Sequence, residues 1–252
     1  MFRRISSLMV LPAAAVMICG AASVHMPPHP KWKSSARMAE WTSPGTNFVV
    51  RNNMWNCQGS PDPCGLETVW ADSYRHWGIQ TRQAAGNTAV LSYPDVQKVM
   101  TRSDGSDTPL SSFTKLKSTF SIKMPSGPGM DDEAAYDDWL NSWNTEVMIW
   151  VDNQGQTPAG SIVARPKVAG RHWALWATGT KGNDNNTYSF VAASNFTHGT
   201  VDTLAMLKWL VHHGWIPASS GVSDDEFGFE ICSTGGHIAN LAVTSYSLTA
   251  KT

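Results

Sequence analysis

From Phe48 onward the chain consists of short runs rich in β-branched and aromatic residues, separated by clusters of Gly, Asn, Asp and Pro. The runs are Phe48 to Arg51, Thr88 to Tyr93, Phe113 to Lys123, Glu146 to Asp152, Trp173 to Thr178, Tyr188 to Ala193 and Leu241 to Leu248. Such runs suit extended backbone, and the turn formers between them reverse the chain. This spacing predicts an all-β sandwich or barrel in one domain. One segment departs from it. Asp202 to His213 places Leu204, Leu207, Leu210 and Val211 at helical spacing, with Lys208 and His212 on the other side. Thr200 or Asp202 can cap its start and Gly214 its end. The expectation is one amphipathic helix packed on the outer sheet, with a structural role.

The N-terminus predicts export. Arg3 and Arg4 precede a mostly apolar stretch from Leu8 to Gly20, and small residues follow at Gly20-Ala21-Ala22-Ser23. This is the pattern of a secretory signal over residues 1–23. The apolar run is short for a membrane span, and nothing later reads as one. Residues 24–46, rich in Pro, Ser and Lys, read as a flexible leader, and 47–252 as the folded domain. Cys57 and Cys64 bracket a turn-rich loop. In an oxidising compartment they are expected to form a local disulfide; the same spacing also suits two reduced thiols. Cys232 is then left unpaired.

Charge and residue type exclude several functions. The net charge is −1, so there is no basic excess for nucleic acid. The eight His show no zinc-site spacing. Asp131-Asp132-Glu133 and Asp224-Asp225-Glu226 read as solvated loop or turn. No metal or cofactor is expected, and no stable membrane association. Twelve Trp is a high count for 252 residues. Part of them must pack the core; the rest can offer flat apolar platforms on which sugar rings stack.

Two strands each carry one acid among apolar residues: Thr145-Glu146-Val147-Met148-Ile149-Trp150-Val151 and Phe227-Gly228-Phe229-Glu230-Ile231. A lone buried carboxylate is costly. Alternation puts Glu146, Met148, Trp150 and Asp152 on one face of the first strand, which suits a cleft floor, and Val147, Ile149 and Val151 on a core face. In the second strand Phe227, Phe229 and Ile231 face the core. Gly228, Glu230 and Cys232 face the other way, and the small neighbours leave room beside Glu230. Each acid could alternatively be an inert, solvated Glu at an edge. Two strands of the same design instead suggest a shared task, and two carboxylates commonly act on a glycosidic bond.

These residues resemble glycoside hydrolase family 12. Glu146-Val-Met-Ile-Trp150 is similar to its nucleophile strand and Phe227-Gly-Phe-Glu230-Ile to its acid/base strand. Asn52-Asn53-Met54-Trp55-Asn56, Leu91-Ser92-Tyr93-Pro94, Ala135-Tyr136-Asp137 and Gly199-Thr-Val-Asp202 resemble further family motifs in the family's order, from about Phe48 to Leu248. The resemblance implies a β-jelly roll of two curved antiparallel sheets with one packed helix. It implies an open groove that binds a β-glucan chain, internal cleavage with retention, and no cofactor. Glu146 would be the nucleophile, Glu230 the acid/base and Asp137 the support of Glu146. Trp55, Met148 and Trp150 would line the groove, with Asn53 contacting sugar or supporting the Trp55 face. A secreted, monomeric endo-β-1,4-glucanase of the cellulase type is therefore expected. Xyloglucanase, mixed-linkage glucanase or xylanase activity is the enzymatic alternative, and a non-catalytic glycan-binding jelly roll the other. The doublet Asp137-Asp138 leaves open which acid meets Glu146, because a slip of one residue swaps the face.

Overall fold

The computed structural model describes residues 25–58, 63–183 and 185–252. The signal expected at 1–23 lies outside them. The strands are, in chain order, Trp32–Ser34 (β1), Glu40–Thr42 (β2), Phe48–Arg51 (β3), Leu66–Ser73 (β4), His76–Arg82 (β5), Asp95–Val99 (β6), Thr108–Pro109 (β7), Lys115–Lys123 (β8) and Met130–Leu140 (β9). Thr145–Gln154 (β10), Ser161–Ala164 (β11), Lys167–Val168 (β12), Arg171–Ala177 (β13), Thr187–Ala192 (β14) and His198–Val201 (β15) follow. The helix Thr203–His212 (α1) then leads to Gly221–Thr234 (β16) and Ala239–Lys251 (β17).

These strands make a jelly roll of two curved sheets. One has the order β1-β4-β5-β17-β8-β15 and the other β11-β13-β14-β10-β9-β16-β6-β3-β2, with β12 beside β13 and β7 beside β16. Neighbours pair antiparallel, except that β10 and β14 run parallel. The core lies between the sheets. Phe227 and Phe229 of β16 project into it, where Phe227 stacks on Tyr246 of β17 at 5.5 Å and Phe229 meets Trp77 of β5 at 5.7 Å. Fully burying such a side chain contributes about 1.5–3 kcal/mol. The alternation read from the sequence therefore holds: this face of β16 is fixed by aromatic packing, and Glu230 must point away from it.

The expected leader is not loose over its described residues, 25–46. From Trp32 on it joins both sheets, β1 pairing with β4 and β2 with β3. Trp32 and Trp41 stack at 6.0 Å. Two three-residue strands are too short to show a period, which is why composition alone suggested a tail. The run Thr88 to Tyr93 forms no strand either; only Ser92 makes an isolated bridge, to Ile231. It is extended chain tied to β16 through Leu91 N to Ile231 O at 2.9 Å.

The helix forms where expected. Asp202 caps it by accepting from the Ala205 N–H at 3.1 Å, while Leu204, Met206, Leu207 and Leu210 are buried. Its partner strand is β8 of the six-stranded sheet. Asp202→Ala is expected to cost about 1 kcal/mol, read as a lower denaturant midpoint at unchanged m-value. The Lys117 contact to Asp202, at 3.5 Å and largely exposed, adds little to this.

Candidate active site

The groove face of the larger sheet is set by three adjacent strands. β9 lies between β10 and β16, and Asp137, Glu146 and Glu230 from these three line one cavity of about 620 Å³. Glu146 stands opposite Trp139 of β9, and Glu230 opposite Glu133. The two acids thus lie diagonally across β9 on the same face. Met148 and Trp150 are nearly buried and pack with Ala135 and Val191, so they form the groove floor rather than an exposed platform. The platforms are Trp55, 48% exposed, and Trp143, 47% exposed. Cys57 and Cys64 are joined as a disulfide just beyond Trp55.

Each carboxyl has a distinct setting. Glu146 accepts a hydrogen bond from the Thr187 hydroxyl at 2.8 Å. Burial raises its pKa, and that hydrogen bond opposes the rise. Glu230 is pushed up to about 7, chiefly by burial and further by the charge of Glu146, while the neighbouring Glu133 carboxyl pulls the other way. Asp137 is raised by burial and then by the charge of Glu146. The doublet is resolved by register: Asp137 opens to the groove, whereas Asp138 faces the core side with Asp225.

The small residues beside Glu230 have other reasons than open space. A Cβ on Gly228 would sit 2.2 Å from the Pro94 carbonyl oxygen, so glycine lets β16 approach the chain entering β6. Cys232 is fully buried; its thiol donates to Gln156 Oε1 at 2.8 Å, and Gln156 Nε2 reaches Glu230 Oε2 at 3.5 Å. Burial raises the thiol to about 12, so it stays a donor. The unpaired cysteine therefore orients the amide above Glu230.

Several groove residues were not legible in the sequence. Arg51 holds Asp95 through Nε and Nη2 at 2.9–3.1 Å and also meets Glu226 at 2.6 Å. Asn53, at φ +40°, donates to Asp95 at 3.3 Å and so belongs to this network. Gln97 donates to both Asp224 and Glu226, at 2.7 and 2.9 Å. The expected solvated turn Asp224-Asp225-Glu226 is thus buried strand; Asp131-Asp132-Glu133, expected as loop, is strand too, with Asp132 and Glu133 buried and Asp131 half-buried. Both triplets pair within the β9–β16 ladder, which closes all of their acids but Asp131 from water. Trp143 is placed by three successive left-handed residues, Asn141, Ser142 and itself, between β9 and β10, and it packs on Trp139 at 5.9 Å. Backbone of this kind is costly for residues other than glycine and clusters at working sites. Among the described residues no cluster of His, Cys, Asp and Glu is arranged to hold a metal ion.

Comparison with known proteins gives this geometry its family. A probable xyloglucan-specific endo-β-1,4-glucanase A of Aspergillus terreus is 29% identical, over 80% of this chain and 82% of that protein. An inactive glycoside hydrolase, XLP1, of Phytophthora nicotianae is 25% identical, over 83% of this chain and 89% of that protein. The xyloglucanase domain of NopAA from Sinorhizobium fredii, solved with cellobiose, shares the fold at TM-score 0.76 and 23% identity, over 88% of this chain and all of that one. The model of glycosyl hydrolase family 12 matches residues 46–251, and the chain belongs to that family.

Proposed function

We propose that this protein is a secreted, retaining endo-β-1,4-glucanase acting on cellulose-like glucans. The observation that carries the reading is the placement of Glu146 and Glu230 on one groove face, with Trp55 and Trp143 exposed as platforms along it. Glu146, held by the Thr187 hydroxyl, attacks the anomeric carbon. Glu230, which burial keeps protonated, gives its proton to the leaving glycosidic oxygen. Once the glycosyl ester has formed, the Glu146 charge is gone and Glu230 becomes more acidic. As a carboxylate it takes a proton from water, which attacks the same carbon and releases Glu146. Asp137 stands beside Glu146 as its support. Export agrees with the bonded Cys57–Cys64 pair, since such bonds persist in oxidising compartments.

A branched glucan is the second reading, because the Aspergillus relative is named for xyloglucan. The test is reducing-end release from carboxymethyl cellulose, mixed-linkage β-glucan, xyloglucan and xylan, with the first-formed anomer followed by NMR. Release of the β-anomer from a glucan supports the reading. An α-anomer would overturn retention. Binding of glucan without turnover would support a non-catalytic module, a state that the name of the Phytophthora relative makes concrete.

Trp143 should act in binding rather than chemistry. Trp143→Ala is expected to raise KM on polymer by roughly tenfold with kcat nearly unchanged, as for loss of one stacking platform. Initial-rate kinetics on the best polymer check this.

A further inference from the structure

Glu133 is the group that the double-displacement reading leaves without a task. It lies on β9, directly opposite Glu230 of β16, and is fully buried. Neither of its oxygens has a hydrogen-bond partner among the described residues, and the carboxyl that stands across from it is that of Glu230. A bare carboxylate in such a place would lose its hydration without return. Cross-strand like charges would add to that cost. Both penalties vanish if Glu133 holds a proton and donates it to Glu230. The other titratable groups facing the pair are Asp137 of β9, Glu146 of β10, Cys232 of β16 and Tyr93 ahead of β6, and none of these is a cation.

We propose that Glu133 is a positioning residue for Glu230: as a neutral acid it donates its O–H to one Glu230 oxygen and leaves the proton of Glu230 directed into the groove. The inference rests on the acid/base role given to Glu230 above. In the first half-reaction the Glu230 O–H bond breaks and its proton goes to the leaving oxygen. The resulting carboxylate keeps the Glu133 O–H as a charge-assisted donor. In the second, Glu230 regains a proton from water, and Glu133 ends as it began. If Glu133 ionises, the geometry inverts. Its carboxylate then accepts the Glu230 O–H, and the proton points away from the substrate. Turnover therefore needs both protons, and the basic limb of the rate profile belongs to the pair rather than to Glu230 alone.

The test is the pH dependence of kcat/KM for wild type, Glu133→Gln and Glu133→Ala. Two substrates are used: carboxymethyl cellulose, and a dinitrophenyl β-cellobioside whose leaving group needs no acid. Gln keeps a donor but cannot take the proton of Glu230, so its basic limb should move up by about one pH unit. Ala removes the donor and should lower kcat on the polymer on the order of tenfold while sparing the activated glycoside. A Glu133→Gln profile that superimposes on wild type, in a protein with a cooperative thermal transition, overturns the proposal. So does an equal loss on both substrates in Glu133→Ala. A measurement independent of any variant is carbon-13 NMR of the glutamate carboxyls in the wild type. Two coupled steps at Glu133 and Glu230 support the proposal; a single step at Glu230 with Glu133 silent overturns it. Absence of turnover on every substrate would sink the glucanase reading, and the NMR titration would still decide whether the two carboxyls share a proton.

Discussion

Glu146→Gln is expected to lose turnover on the order of 10⁴-fold or more, and Glu230→Gln roughly 10²- to 10⁴-fold on substrates with a poor leaving group. The two losses should differ in kind. Gln at 146 keeps the hydrogen bond with Thr187, but its neutral amide oxygen is too weak a nucleophile to attack the anomeric carbon, so no glycosyl ester forms. Gln at 230 cannot protonate the leaving oxygen, yet an activated aryl glycoside departs unaided and the ester then accumulates. Added azide separates them further. In Glu146→Ala it occupies the vacated side and yields the inverted glycosyl azide; in Glu230→Ala it attacks the ester and yields the retained one. Product configuration by NMR checks both. Full activity in either variant, with folding intact, would remove that residue from the mechanism. The measurement decides between enzyme and binding module.

The second large effect is on stability, which should be greatest in acid and fall as pH rises through neutrality. The cause is the β9–β16 ladder, where acid stands opposite acid three times: Asp225 with Asp138, Glu226 with Asp137 and Glu230 with Glu133. Arg51 reaches Glu226, but among the described residues no ion pair meets the Asp138–Asp225 pair, which faces the core. There the Tyr246 hydroxyl donates to Asp225 at 3.2 Å, and burial, then the charge of Asp225, raises Asp138, which favours its protonated form. Burial lifts Asp225 from an ordinary 3.8 to about 6. A carboxyl raised on folding favours the folded state fully below its unfolded value, and that advantage is lost as pH climbs through the folded one. For Asp225 the window runs from about pH 4 to about pH 6, and the differential is about 3 kcal/mol. Glu67 and Asp224, each raised to about 7 by burial, and Asp132, raised to about 8, extend the decline toward pH 8.

Asp138→Asn tests the cause. Asn keeps an N–H for Asp225 and needs no proton. Its thermal midpoint should match wild type near pH 4 and exceed it near pH 8, where the wild-type pair must strip its proton or stay strained. A wild-type midpoint that rises between these values would contradict the buried-acid account. A variant that parallels wild type at both would place the effect elsewhere in the ladder.

How much was legible differs strand by strand. For β10 and the second half of β16 the pattern suffices: alternate positions are large and apolar, so packing decides the face and leaves Glu146 and Glu230 on the other. The helix is equally local, with an Asp cap and leucines at one turn's spacing. Cys57 and Cys64 are close in sequence, and their loop sets the distance. Nothing in composition separates a solvated Asp-Asp-Glu from a buried one, so both acidic triplets were misplaced. Their burial depends on β9 and β16 pairing across some 90 residues of chain.

The sequence by itself determined the strand-rich class, the direction of the two groove acids and the single helix, because each follows from side-chain period and local capping. Tertiary structure alone decided which acids share protons, that Arg51 gathers Asp95 and Glu226, that Cys232 aims Gln156 at Glu230, and that the segment before Phe48 is sheet. Those outcomes rest on register between distant strands, where a one-residue slip reverses every side chain, and on the withdrawal of water that only the closed sandwich brings about.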